Sequence, residues 1–173
     1  MIPQAVLCDR DGTLIVDVPY NGDPAQVEAM RTVPEGLARL RAAGIRVGVV
    51  SNQSGVARGD LTPDDVAGVM RRLEELLGPF DAIVWCPHGP EDGCDCRKPG
   101  PGLVQRAAGL LGVPTARCAV IGDTGADVDA AAAAGARPVL VPNHRTLLQE
   151  ITAAPAVAPT FAAAVELLLG PAR

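Results

Sequence analysis

Ala5-Val6-Leu7-Cys8-Asp9-Arg10-Asp11-Gly12-Thr13 runs four apolar residues straight into two acids and a glycine. A short apolar run without polar alternation reads as a strand buried on both faces, the kind found in parallel sheets. Four similar runs follow, at Val47 to Val50, Ala82 to Trp85, Ala119 to Ile121 and Pro138 to Val141. Each is rich in Val and Ile or bounded by Gly, Pro, Asn or Asp, as strands are. Helical patterns lie between them. Pro34 to Ala43 places Leu37 and Leu40 on one face and stops at Gly44. Thr62-Pro63-Asp64-Asp65 reads as a helix start, with a capping threonine, a first-turn proline and acids that suit the dipole. That helix runs to Leu77 before Gly78-Pro79, and others are predicted at Leu103 to Leu111, Ala126 to Ala134 and Phe161 to Leu169. Strands alternating with helices predict an α/β fold, a mainly parallel sheet with helices on both faces. Ligands of such sheets bind beyond the carboxyl ends of the strands. Pro155 to Pro159 reads as a linker.

Composition narrows the classes. The 173 residues suit a single domain over 1–173. Hydrophobic residues make up 48% but aromatics only 2%, so the core is aliphatic. The net charge of -5 disfavours a surface that grips nucleic acid or an anionic membrane. No run is long and apolar enough to span a bilayer, and the first residues show no basic n-region followed by an apolar h-region, so no signal peptide is expected. The expectation is a cytoplasmic monomer with a small-molecule partner, no nucleic acid and no membrane. Cys8 and Cys118 lie in apolar runs and read as small buried hydrophobes.

The chemistry sits where the strands end. Asp9 and Asp11 are two apart in an extended segment, so both can face one site. Two carboxylates ~4 Å apart repel by about 4 kcal/mol at an effective dielectric of about 20, so the pair needs a cation or a shared proton. One carboxylate can then attack phosphorus while the other serves the leaving oxygen and the attacking water. Asp and Gly are also common turn residues. The second strand ends in Ser51-Asn52-Gln53-Ser54, whose hydroxyls and carboxamides can donate to phosphoryl oxygens or cap a helix. The fourth ends in Gly122-Asp123, an acid placed to ligate Mg²⁺, with Asp127 one helical turn on, behind it. Lys98 supplies a cation that carboxylates and an anionic substrate both require.

Asp-x-Asp, Ser and Gly-Asp at three strand ends, with Lys98 between the last two, resemble the haloacid dehalogenase-like (HAD) superfamily of phosphatases. The resemblance spans about Ala5 to Val141. It implies Asp9 as nucleophile, Asp11 as general acid/base, Ser51 as phosphate-binding hydroxyl and Lys98 as the neutralising cation. It further implies that Mg²⁺ is held by Asp9, Asp123 and the Asp11 backbone carbonyl.

Cys86-Pro87-His88 and Cys94-Asp95-Cys96 place four soft ligands within eleven residues. Three thiolates and an imidazole suit a closed tetrahedral Zn²⁺ site, although incidental cysteines in a loop give the same letters. Zinc at Cys86, His88, Cys94 and Cys96 is expected to be structural and to fix the loop that aims Arg97 and Lys98. Within the HAD superfamily this loop resembles two groups without a large cap domain, the heptose bisphosphate phosphatases and the histidinol-phosphate phosphatases. Asn52-Gln53-Ser54-Gly55-Val56-Ala57-Arg58-Gly59 resembles the first; the short spacer between His88 and Cys94 resembles the second. Asn52, Gln53, Ser54, Arg58 and Arg97 are the candidates for substrate binding. Thr124 stands where many relatives carry Lys or Arg. A nucleic-acid end phosphatase and a non-catalytic zinc-binding module on the same fold are the remaining alternatives.

Overall fold

The computed structural model describes residues 1–170. Five parallel strands form one sheet: β1 (Ala5–Cys8), β2 (Arg46–Asn52), β3 (Ala82–Cys86), β4 (Cys118–Gly122) and β5 (Arg137–Leu140). Their order is β3-β2-β1-β4-β5. The chain therefore builds outward from β1 in one direction, then crosses back to start on its other side. That reversal opens a crevice between the carboxyl ends of β1 and β4, where the acids of both strands emerge.

Among the described residues seven α-helices accompany the sheet: α1 (Val33–Ala42), α2 (Gly55–Arg58), α3 (Pro63–Leu77), α4 (Gly102–Leu111), α5 (Gly125–Ala133), α6 (Leu148–Ala153) and α7 (Phe161–Leu169). Alternating strand residues split between two cores, as a period of two requires. Val6, Cys8, Val47 and Val49 pack with Leu37, Leu40, Val69, Leu73 and Val165 from α1, α3 and α7. Ala5, Leu7, Val50 and Val84 pack with Leu103, Val104, Ala107 and Ala130 from α4 and α5. The result is a three-layer sandwich, with no large cap domain among the described residues.

The predicted elements are present with ends moved by a few residues. The capping box of α3 forms as its sequence predicts: Asp65 N donates to Thr62 Oγ1 at 3.2 Å, and Thr62 N donates to Asp65 Oδ2 at 2.8 Å. Cys8 and Cys118 are buried, as expected. One expectation is corrected. The linker reading of Pro155 to Pro159 fails: Leu140 N donates to Ala156 O and Ala158 N to Leu140 O, both at 2.9 Å. The segment caps the free edge of β5, and Ala158 is buried there. α2 and α6 were absent from the sequence reading because four and six residues are too few to show a helical period.

Candidate active site

Lys98 Nζ sits at the centre of the crevice, 4% exposed, and donates to three oxygens. These are Asp9 Oδ1 at 2.5 Å, Asp127 Oδ1 at 2.6 Å and Val50 O at 2.8 Å. Each partner comes from a different element: Asp9 from the end of β1, Val50 from β2, Asp127 from α5. The lysine backbone is fixed too. Asn52 grips it from both sides, accepting from Lys98 N at 3.1 Å and donating to Lys98 O at 2.9 Å. Asn52, a substrate-binding candidate by sequence, has its carboxamide committed to this clamp.

Asp123 leaves β4 beside Asp9. Its Oδ1 accepts from Thr13 Oγ1 at 3.2 Å, and its Oδ2 accepts from Asn143 Nδ2 at 2.7 Å. Asp127 is one turn further on. Its Oδ2 accepts from Thr124 N at 3.1 Å and from Thr124 Oγ1 at 2.7 Å, so both its oxygens are occupied. Gly122 is explained by this packing, because a Cβ there would land on the Asp127 side chain.

Carboxylate oxygens of Asp9, Asp123 and Asp127 lie within 4.8 Å of one another. Three buried carboxylates against one ammonium leave an excess of two negative charges. The titration behaviour reflects it. Burial pushes Asp9 well above the usual carboxylate range, and Asp127, Asp123 and Asp11 reinforce this against the pull of Lys98. Burial, and then Asp127, pushes Asp123 up to about 6, although Asn143 and Thr13 donate to it. Burial works to lower Lys98, but Asp127 and Asp9 prevail and hold it above the usual lysine range. A hard divalent cation with oxygen ligands fits both the charge and the donors; Asp9 offers an oxygen without a hydrogen bond, and the Asp123 oxygens, each accepting one, keep lone pairs for a metal. Among the described residues, no hydrogen bond reaches Asp9 Oδ2.

Asp11 lines a cleft of about 230 Å³. Arg10 Nε donates to both of its oxygens, at 3.1 and 3.0 Å, and Gln53 Nε2 donates to Oδ2 at 3.0 Å. Gln53 Nε2 also donates to the buried Ser51 Oγ at 2.8 Å, joining the ends of β1 and β2. Ser54 lines the cleft at the start of α2. Arg58 and Arg97 do not line it. Arg58 stacks over Tyr20, 4.5 Å from the ring centre, and pairs with Asp60 at 3.2 Å. Arg97 donates to His88 O at 3.1 Å, inside the cysteine loop.

Cys86, His88, Cys94 and Cys96 converge as the spacing predicts. Sulfur–sulfur distances are 3.1, 3.5 and 3.7 Å, and His88 Nδ1 lies 3.4 Å from Cys86 Sγ and 3.3 Å from Cys96 Sγ. A tetrahedron with zinc bond lengths has sulfur–sulfur edges of about 3.8 Å and sulfur–nitrogen edges of about 3.6 Å. The four ligands therefore fit zinc with only a small expansion.

Several residues at the site were missed by sequence: Arg10, Thr13, Asn143, Thr146 and Arg145. Thr13 and Arg10 lie in the opening motif itself. Asn143 and Thr146 follow β5, and the rule that ligands gather beyond strand ends could have found them. Arg145 has no motif around it.

The relatives agree with the geometry. The HAD-hydrolase-like family model matches residues 95–166. The D-glycero-beta-D-manno-heptose-1,7-bisphosphate 7-phosphatase of Pseudomonas aeruginosa is 38% identical over 143 residues, covering 79% of each chain. That of Bordetella bronchiseptica is 38% identical over 152 residues, covering 83% of this chain and 85% of its own. The crystal structure of D,D-heptose 1.7-bisphosphate phosphatase from B. bronchiseptica, complexed with magnesium and phosphate, superposes with a TM-score of 0.86 at 33% identity. It matches 98% of this chain and 99% of its own. A buried lysine among three carboxylates at a strand crossover, in a chain this similar to known phosphatases along most of its length, leads to one assignment: the chain belongs to the HAD-like phosphatases, in the family of the D-glycero-beta-D-manno-heptose-1,7-bisphosphate 7-phosphatases.

Proposed function

We propose that the chain, as one catalytic domain over 1–173 and as a monomer, hydrolyses D-glycero-D-manno-heptose 1,7-bisphosphate through a phospho-aspartate on Asp9. The observation that carries this reading is Lys98, buried between Asp9 and Asp127 with Asp123 alongside. This arrangement lacks two positive charges, and a Mg²⁺ ion on Asp9, Asp123 and the Asp11 carbonyl would supply them and draw charge from the phosphoryl oxygens.

The chain's own groups do the rest. Lys98 holds Asp9 Oδ1, which leaves Oδ2 to attack phosphorus. As the Asp9–phosphorus bond forms, the bond from phosphorus to the sugar oxygen breaks. Asp11, as general acid, gives a proton to that oxygen, and the alcohol departs. A water then attacks the phosphorus, and Asp11, now a carboxylate, takes the water's proton. The bond to Asp9 breaks, and inorganic phosphate leaves with both aspartates restored. Ser51 and Lys98 stabilise the equatorial oxygens, as phosphoryl transfer requires. Gln53, held between Asp11 and Ser51, positions both, and Ser54 borders the space for the sugar. Zinc on Cys86, His88, Cys94 and Cys96 is structural: it folds a loop with no core of its own and anchors the start of the segment that delivers Lys98.

The test compares kcat/KM for the heptose 1,7-bisphosphate and for histidinol phosphate, with Mg²⁺ and zinc-replete protein. The expected result is a preference of at least about 100-fold for the heptose, or roughly 2.7 kcal/mol in the barrier. A preference for histidinol phosphate would make the short zinc loop the determinant and overturn the substrate, leaving the chemistry intact.

A further inference from the structure

The cleft in front of Asp11 is lined by two cations, Arg10 and Arg145. They are not equivalent. Arg10 is 1% exposed and bound to Asp11 through Nε, so it belongs to the floor. Arg145 is half exposed and held by a single carboxylate, that of Asp17. Asp17 lies on the loop after β1 and Arg145 on the loop after β5, so their ion pair spans the entrance. Both side chains border the cleft.

The backbone beneath Arg145 is tied into the site by hydrogen bonds. Arg145 N donates to Asn143 Oδ1 at 2.8 Å, and Asn143 N donates to Thr146 Oγ1 at 2.9 Å. Thr146 Oγ1 in turn donates to Asp123 O at 2.7 Å, and Asn143 Nδ2 to Asp123 Oδ2 at 2.7 Å. The position of Arg145 is therefore indexed to Asp123, the residue proposed to hold the metal. The side chain beyond that base is long, half in water, and free to exchange partners. A phosphate dianion offers a guanidinium more charge and a better bidentate match than one carboxylate. Thr124, at the start of α5, offers no cation, Arg97 is held by His88 O, and Arg58 does not line the cleft.

We propose that Arg145 is the specificity-determining residue for a second anionic group: it leaves Asp17 and binds the non-reacting phosphate of a sugar bisphosphate. The proposal rests on the phosphatase reading above. Asp17 then acts as an occupant of the subsite, keeping Arg145 extended across the cleft until a dianion displaces it.

The experiment measures KM and kcat for D-glycero-D-manno-heptose 1,7-bisphosphate and for the 7-monophosphate, which lacks the second anion. It uses wild type, Arg145→Gln and Asp17→Asn. Arg145→Gln is expected to raise KM for the bisphosphate at least tenfold more than KM for the monophosphate, with kcat for the two changing alike. Asp17→Asn, which frees Arg145, is expected to lower KM for the bisphosphate. Inhibition by the product heptose 1-phosphate should weaken in Arg145→Gln by a similar factor. Equal KM changes on both esters, with inhibition by heptose 1-phosphate unaltered, would overturn the subsite. Wild type that releases no phosphate from either ester would instead overturn the underlying phosphatase reading, and the subsite with it.

Discussion

Asp11 meets two donors before any substrate arrives, Arg10 Nε and Gln53 Nε2, and Gln53 ties it to Ser51. A hydrogen bond to a charged group is worth about 1.5–3 kcal/mol, so Gln53→Ala should lower kcat by roughly 10- to 100-fold with a smaller change in KM. A steady-state assay that finds KM changed alone would show that Gln53 binds substrate and does not position Asp11. Asp9→Asn separates chemistry from fold. It removes the nucleophile and one of three mutually repelling carboxylates, so turnover should fall to background while the metal-free protein melts at a higher temperature. Calorimetry showing a lower melting temperature would mean that the Lys98–Asp9 pair outweighs the repulsion. At this scale the sequence was legible only where chemistry follows a strand directly. Asp9, Asp11, Ser51 and Asp123 are found by that rule. Arg145 and Asp17 are 128 residues apart, and only the sheet order, which sets β4 beside β1 and β5 beside β4, brings their loops together.

Among elements, β4 and the cysteine loop carry the clearest consequences. Gly122 ends β4 where Asp127 packs against it, so Gly122→Ala should displace Asp127 and loosen Lys98. Activity is expected to fall at least tenfold while far-UV circular dichroism stays that of the wild type; full activity would show that α5 can shift freely. The loop from Gly89 to Gly93 is mostly exposed and makes few internal hydrogen bonds. Its shape depends on the four ligands, and through Cys96 it leads into Lys98. Removing zinc with a chelator should therefore lower turnover several-fold even with Mg²⁺ in excess, with metal content followed by mass spectrometry. Unchanged activity in verified zinc-free protein would confine the metal to folding. The ligand spacing was readable because all four lie within one loop. The clamp of Asn52 on the Lys98 backbone was not, since it joins elements 46 residues apart.

For the whole molecule, the excess negative charge at the crevice links pH, metal and stability. The pKa of Asp123 is raised from 3.8 to about 6 and that of Asp9 in the same direction. A raised carboxylate favours the fold below its ordinary pKa, and that contribution is lost as pH rises through the folded value. The metal-free protein should accordingly lose stability between about pH 4 and the region above pH 6. Mg²⁺ replaces the lost protons, so it should raise the melting temperature by several degrees near pH 7.5 and by less than half as much near pH 5. Equal shifts at both pH values would mean that the ion binds away from these carboxylates. The three-layer architecture was readable from five apolar runs and their alternation with helices. The edge pairing of residues 155–159 was not, because backbone hydrogen bonds to a strand edge leave no periodic mark in the sequence.

The proposed chemistry turns on a covalent bond between phosphorus and Asp9. Protein turning over the heptose bisphosphate with Mg²⁺ can be quenched rapidly and reduced with borohydride, which converts an aspartyl phosphate to homoserine. Peptide mass spectrometry should then find homoserine at residue 9 and at no other aspartate, and none in Asp9→Asn. Homoserine at another position, or none in protein caught during active turnover, would contradict it.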